Sequence, residues 1–202
     1  MVSSGEEMGR IMNNYFLGVF TQENTQVVPQ SEQMYKGDEA GRLTDVDLTK
    51  EIVMKEIDRL KKFKTPGLDE IYPRILKECK EIISEPLVNI FRKSVDSGEV
   101  PSLWRQANVT PIFKKGDRTL ASNYRPVSLT SVVGKLLESI ITKNIREHLD
   151  KHKLINDSQH GFCKGRSCLT NLLSFYRKAY EAVDNNDSYD IIYLDFSKKG
   201  AG

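Results

Sequence analysis

Residues 108–130 read NVTPIFKKGDRTLASNYRPVSLT, and their reading decides the fold class. NVTPIFKKGD reads as a strand, and Pro111 within it lacks the N–H that a ladder requires, so this strand belongs at a sheet edge. It runs into a turn at Gly116 and Asp117, after which PVSLT can pair with it. Stretches with helical periodicity lie on both sides of this pair. The expected class is therefore α+β and helix-rich.

Working upstream, LTKEIVMKEIDRLKKF spaces Ile52, Val53, Ile57 and Leu60 at helical intervals, with Thr49 as a cap and Glu51 in the first turn. Pro66 and Gly67 in KTPGLDEIYP end that helix. RILKECKEIIS and EPLVNIFRKSVDSG read as two helices meeting at Pro86, in the first turn of the second, with Gly98 as its C-terminal cap. Ile75, Leu76, Cys79, Ile82 and Ile83 are expected on one side. Residues 1–43 read as an N-terminal extension and linker, partly disordered: MGRIMNNYFLGVFT is weakly amphipathic and the polar QENTQVVPQSEQMYKGDEAGR follows it. The compact unit is expected over residues 44–202.

Downstream, SVVGKLLESIITKNIREHLDKH is the clearest helix. Val133, Leu136, Leu137, Ile140, Ile141, Ile145 and Leu149 keep helical spacing, and Ser131 can cap it. After the loop LINDSQHGFCKGR, Ser167 can cap another helix bearing Leu169, Leu172, Leu173, Tyr176 and Tyr180. YDIIYLDF then reads as a strand, rich in β-branched and aromatic residues. The chain has no internal repeats.

At 202 residues, with 39% hydrophobic and 29% charged residues, the chain can bury a core and is not disordered throughout. No apolar run approaches the roughly 18 residues of a membrane span. The amino end, MVSSGEEMGR, carries acids where a secretory signal carries bases and an apolar stretch. An intracellular, reducing compartment is expected, with the three cysteines as free thiols. The net charge of +2 conceals a gradient: residues 1–59 hold eleven acids and six bases, the remainder 17 acids and 24 bases. The basic part is the candidate for a polyanionic partner.

Four features could carry chemistry. Lys114, Lys115, Arg118 and Arg125 face only Asp117 and could clamp a triphosphate or a nucleic-acid backbone, although a solvated turn has the same composition. In QHGFCKGRSC, Gly161 and Gly165 permit close backbone approach, and Lys164 and Arg166 add charge before a capped helix. Without the full phosphate-loop pattern, a structural turn explains this segment better than a phosphate site does. His148 and His152 share a helix face and Cys163 and Cys168 follow, but their spacing departs from a zinc knuckle. Asp195, after DIIYL, would stand at a buried strand end where a hard cation is held, or would cap a turn.

Taken in order, KTPGLDEIYPRILKE, GEVPSLWRQANVTPIFKKGD, NYRPVSLTSVVGKLLESII, INDSQHGFCKGRSCLTNLL and YDIIYLDFSK resemble the reverse transcriptase of non-LTR (LINE-type) retrotransposons, particularly CR1-like and jockey-like elements. The resemblance covers about residues 48 to 198. It implies a right-hand polymerase, an RNA-directed DNA polymerase, of which this chain holds the fingers and the first palm strand, incomplete. It also implies an RNA template, a DNA primer, dNTP substrates and Mg²⁺. Lys114 or Lys115 and Arg125 would hold the dNTP phosphates, and Gln159, Gly161 and Phe162 would lie near template and nucleotide. Asp195 matches the first catalytic aspartate, a ligand of both metal ions in two-metal phosphoryl transfer.

The departures are equally specific. Where the family continues DFSKAFDTV, Lys199, Gly200 and Ala201 replace Ala, Phe and Asp, so the bulky residue that excludes ribonucleotides is missing. The aromatic-Ala-Asp-Asp block that supplies further metal carboxylates is not found in the 202 residues. The expectation is the front part of a polymerase, ended by a frameshift, a truncated copy or an exon boundary, and inactive alone. The alternative is a non-catalytic remnant that binds RNA or single-stranded DNA weakly. A strand at residues 190–196 without its neighbours would also be an aggregation hazard.

Overall fold

The computed structural model describes residues 4–19 and 41–194, and in them six α-helices accompany one two-stranded sheet. The helices are α1 (Gly5–Val19), α2 (Lys50–Arg59), α3 (Pro73–Glu78), α4 (Lys80–Ser97), α5 (Val132–Lys151) and α6 (Cys168–Asp184). The strands β1 (Ala107–Phe113) and β2 (Tyr124–Thr130) lie between α4 and α5. The architecture is thus helix-rich α+β.

The core forms where α2 packs against α4 and α5. Val53 and Ile57 from α2, Phe91 from α4 and Leu136 and Ile140 from α5 are almost wholly buried. Each such side chain contributes about 1.5–3 kcal/mol of transfer free energy relative to exposure. The expected caps form: Thr49 Oγ1 accepts from the Ile52 N–H at 3.3 Å, and Ser131 Oγ from the Gly134 N–H at 3.1 Å. Gly98 closes α4 in the left-handed region, at φ 68°. Among the charged residues, Glu56 is drawn inside, where its carboxylate accepts from Arg59 and, at 3.1 Å, from the Ser139 hydroxyl. Trp104, on a 3-10 turn at Ser102–Arg105, packs on Gly134 and meets Phe91 edge to face at 5.8 Å.

Three expectations are corrected. The helix break falls at Cys79, not Pro86, which lies inside α4. The Cys79 carbonyl accepts from both the Ile82 and Ile83 N–H groups at 3.0 Å, so one turn ends α3 and begins α4. An interior proline costs about 3 kcal/mol, and burial of Leu87 and Phe91 just beyond it offsets that. The break also changes the helical phase. Leu76 and Ile83 turn inward while Ile75 and Ile82 are exposed, so the expected one-sided stripe does not form. Lastly, described residues 189–194 form no strand, because no neighbour pairs with them. Residues 195 and 196, the end of that expected strand, lie outside the described residues.

Helix α6 obeys its capping signal, with Ser167 and Thr170 in a reciprocal box, but none of its residues is buried. Leu169, Leu172, Leu173, Tyr176 and Tyr180 remain exposed along it, as do Ile191 to Leu194 after it. No helix among the described residues is long and apolar enough to cross a membrane.

Candidate nucleic-acid interface

The hairpin of β1 and β2 positions the basic cluster. Its antiparallel register sets Ile112 opposite Arg125, Pro111 opposite Pro126 and Phe113 opposite Tyr124. The Lys114 N–H donates to the Asn123 carbonyl at 2.8 Å, which fixes the phase of the ladder. Alternation then places the facing prolines at a non-hydrogen-bonded position, so neither missing N–H leaves a gap.

The same alternation sorts the cations. Lys114 and Arg125 fall on one face as diagonal neighbours, with backbones roughly 7–8 Å apart, and Arg125 is exposed. The opposite face carries Phe113 and Tyr124, whose rings meet edge to face at 5.5 Å. Arg118 joins that face: its guanidinium lies 4.9 Å from the centre of the Phe113 ring, and its carbonyl accepts from the Tyr124 hydroxyl at 2.9 Å. Two cations therefore share a face suited to phosphate, whereas Arg118 braces the aromatic side. Lys115 follows at the exposed bend.

Asp117, the acid of this cluster, is turned into its own loop. Its Oδ1 accepts from the backbone N–H and hydroxyl of Thr119, both at 2.8 Å, and its carbonyl accepts from the Asn123 side-chain amide at 2.8 Å. The backbone hydrogen bond from Thr119, then the hydroxyl, holds its carboxyl below the usual carboxylate range. A depressed folded value means that the bonded loop is favoured above the unfolded carboxylate pKa and loses that support as pH falls through the folded one. On acidification the Thr119 amide resonance is expected to shift with a midpoint below the ordinary aspartate value. A two-dimensional NMR titration showing that amide unmoved, or titrating higher, would refute the loop geometry.

The QHGF segment sits in a different loop, between α5 and α6. Arg146 fastens it to α5 by donating to the Phe162 carbonyl at 2.7 Å, and His160 reaches Thr170 of α6 at 3.0 Å. Arg166 closes the loop by donating to the carbonyls of Asp157 and, at 2.8 Å, Gln159, so it acts as a tie here. The Gln159 amide donates to the Gly161 carbonyl at 3.1 Å. Phe162 is presented to solvent, 93% exposed, from a left-handed backbone at φ 59°. Such a conformation is uncommon for a bulky residue and is held by its surroundings.

The zinc alternative finds no support among the described residues, which hold no group of three or more His, Cys, Asp or Glu side chains placed to bind a metal ion. The rings of His148 and His152 do meet, tilted at 46° with centres 4.6 Å apart. Asp195 lies outside the described residues.

Comparison with known proteins gives the chain its relatives. It is 29% identical over 152 residues to the RNA-directed DNA polymerase from mobile element jockey of Drosophila melanogaster, covering 75% of this chain and 17% of that protein. It is 24% identical over 149 residues to the probable RNA-directed DNA polymerase from transposon BS of the same organism, covering 73% of this chain and 16% of that one. The chain is a homologue of non-LTR retrotransposon polymerases. A putative 115 kDa protein in type-1 retrotransposable element R1DM, also from Drosophila melanogaster, is 34% identical over 112 residues, which are 54% of this chain and 11% of that protein. The chain thus spans less than a fifth of each of these relatives. No protein-family profile matches it.

One basic surface of this polymerase homologue escaped the sequence reading. Lys62, Phe63, Lys64, Pro66, Tyr72 and Arg74 line an open groove of about 530 Å³ between α2 and α3. Its signal was present in Lys61-Lys62-Phe63-Lys64, an aromatic residue set among lysines just past the apolar stripe.

Proposed function

We propose that this chain is the fingers and the start of the palm of a retrotransposon reverse transcriptase, a domain performing template-directed nucleotidyl transfer in the parent element. The observation that carries the reading is the shared face of Lys114 and Arg125, in a chain similar to RNA-directed DNA polymerases over up to three quarters of its length. On this reading Lys114, with Lys115 beside it, and Arg125 take the phosphates of an incoming dNTP. Gln159, Gly161 and Phe162 lie toward an RNA template and a DNA primer. The charge gradient supports the polyanionic partners.

Asp195 is proposed as a Mg²⁺ ligand of the parent polymerase. Asp195 lies outside the described residues, which themselves hold no group of three or more His, Cys, Asp or Glu side chains placed to bind a metal ion. Since the ion takes more than one carboxylate in a two-metal site, the 202-residue chain is proposed to be inactive alone. The exposed cations of the hairpin favour a second reading, a non-catalytic protein with weak, salt-sensitive affinity for RNA or single-stranded DNA.

Primer extension on an RNA template with dNTPs and Mg²⁺ separates the readings. It compares this chain, Asp195→Ala, and a version extended through the remaining palm and thumb of a relative. Activity in the extended version only, lost with Asp195→Ala, is expected. Activity in the short chain would overturn its proposed inactivity. Silence in the extended version, with binding retained, would leave the non-catalytic reading.

A further inference from the structure

We propose that the groove between α2 and α3 is a track for single-stranded nucleic acid, in which bases stack on Phe63 and Tyr72 while phosphates meet Lys64 and Arg74. The inference rests on the nucleic-acid reading above for its class of partner, and it adds a site to which neither the resemblance nor the hairpin assigns a role.

The exposed rings come first. Phe63 is 89% exposed and Tyr72 is 51% exposed, and both line the one groove. A flat apolar ring presented to water beside cations is the composition of a base-stacking platform, since every base offers a π-face and every linkage a charge. The electrostatics agree. Lys62 donates to Glu78 at 2.6 Å and neutralises it, and this bond, with the charges of Lys62 and Arg74, holds the Glu78 carboxyl below the usual range. Among the described residues, Lys64 and Arg74 have no carboxylate within ion-pair distance, so the groove keeps an excess of positive charge.

The loop that continues from the groove's edge is fixed in place. Beyond Pro66, Gly67 is pressed against the backbone of Thr130 and Ser131, and the Asp69 carboxylate accepts from the Ser131 hydroxyl. The groove therefore begins where β2 ends, and β2 carries Arg125 roughly 17 Å further along. An extended strand anchored in the groove lies within a few nucleotides of the hairpin's cationic face. An acidic peptide would use the cations but has no need of two rings, which is why nucleic acid is the better fit.

The test is fluorescence anisotropy of labelled oligo(dT) and oligo(U) with the full chain, as a function of KCl. Phe63→Ala and Tyr72→Ala should each weaken binding about tenfold while leaving the salt slope unchanged. Lys64→Ala and Arg74→Ala should each reduce that slope by about 0.7. Should Tyr72→Ala misfold by circular dichroism, Phe63→Leu keeps the apolar bulk, removes the ring, and is expected to bind like Phe63→Ala. Binding that Lys114→Ala and Arg125→Ala abolish but the ring variants leave intact overturns this inference and spares the wider reading. No binding by the wild type overturns both. Equal competition by polyglutamate, insensitive to the rings, assigns the groove to an acidic chain and overturns it as well.

Discussion

Phe91→Ala is expected to remove about 3–5 kcal/mol of stability, a large fraction of the roughly 5–15 kcal/mol that a native domain has. Phe91 has no exposed surface, packs in the cluster with Val53, Ile57 and Leu136, and meets Trp104 edge to face. Alanine leaves a ring-sized void at the junction of α2, α4 and α5, and these helices cannot close over it without losing their other contacts. Urea denaturation followed by far-UV circular dichroism should show the midpoint falling with little change in slope, and Trp104 fluorescence should report the same transition. Phe63→Ala provides the contrast. That side chain is 89% exposed, so its removal should change stability by less than about 0.5 kcal/mol. A loss under about 1 kcal/mol for Phe91→Ala would mean that the three helices do not share this core.

The contrast between two phenylalanines shows what local pattern can carry. Periodicity and caps are local, so Thr49, Ser131 and Ser167 marked their helices and Pro111 marked an edge strand, as the structure has them. Which side of a helix is buried is decided by its neighbours. Ile82 satisfies the same spacing as Leu76, yet the turn at Cys79 rotates it to 78% exposure. Propensity alone puts Pro86 at a first turn, and the burial of Leu87 and Phe91 overrides it. YDIIYL has strand composition, but a strand exists only with a partner, and among the described residues it has none.

The site divides along the same line. That Lys114, Lys115, Arg118 and Arg125 form a cluster was legible from their proximity in sequence. That Arg118 leaves it to cover Phe113, while Lys114 and Arg125 share a face, follows only from the folded hairpin and its register. The groove at Phe63 and Tyr72 needed the fold itself, because α3 must turn back on the end of α2 before the two rings line one surface.

Gly67→Ala is the sharpest test of how the helical core holds the hairpin. A Cβ at Gly67 would lie 2.5 Å from both the Ser131 nitrogen and the Thr130 carbonyl carbon, and 2.7 Å from the Thr130 oxygen. All three are backbone atoms at the junction of β2 and α5, so no side-chain rotation relieves the collision. Either the loop lifts off or the start of α5 moves, and both break the bond between Ser131 and Asp69 that pins them. Overpacking costs typically 1–3 kcal/mol, and contact with the Thr130–Ser131 peptide backbone, which cannot rotate away, places this case at the upper end, about 3 kcal/mol. Gly98→Ala separates crowding from backbone strain. Gly98 sits at φ 68° with nothing within 4 Å of an added Cβ, so its substitution should cost only the left-handed penalty of about 1–2 kcal/mol. Chemical denaturation of the two variants side by side should rank Gly67→Ala as the more damaging and show altered amide shifts at Thr130 and Ser131 in it alone. If Gly67→Ala unfolds like the wild type, the loop does not dock on that junction, and the groove proposed beside it loses the anchor at its edge.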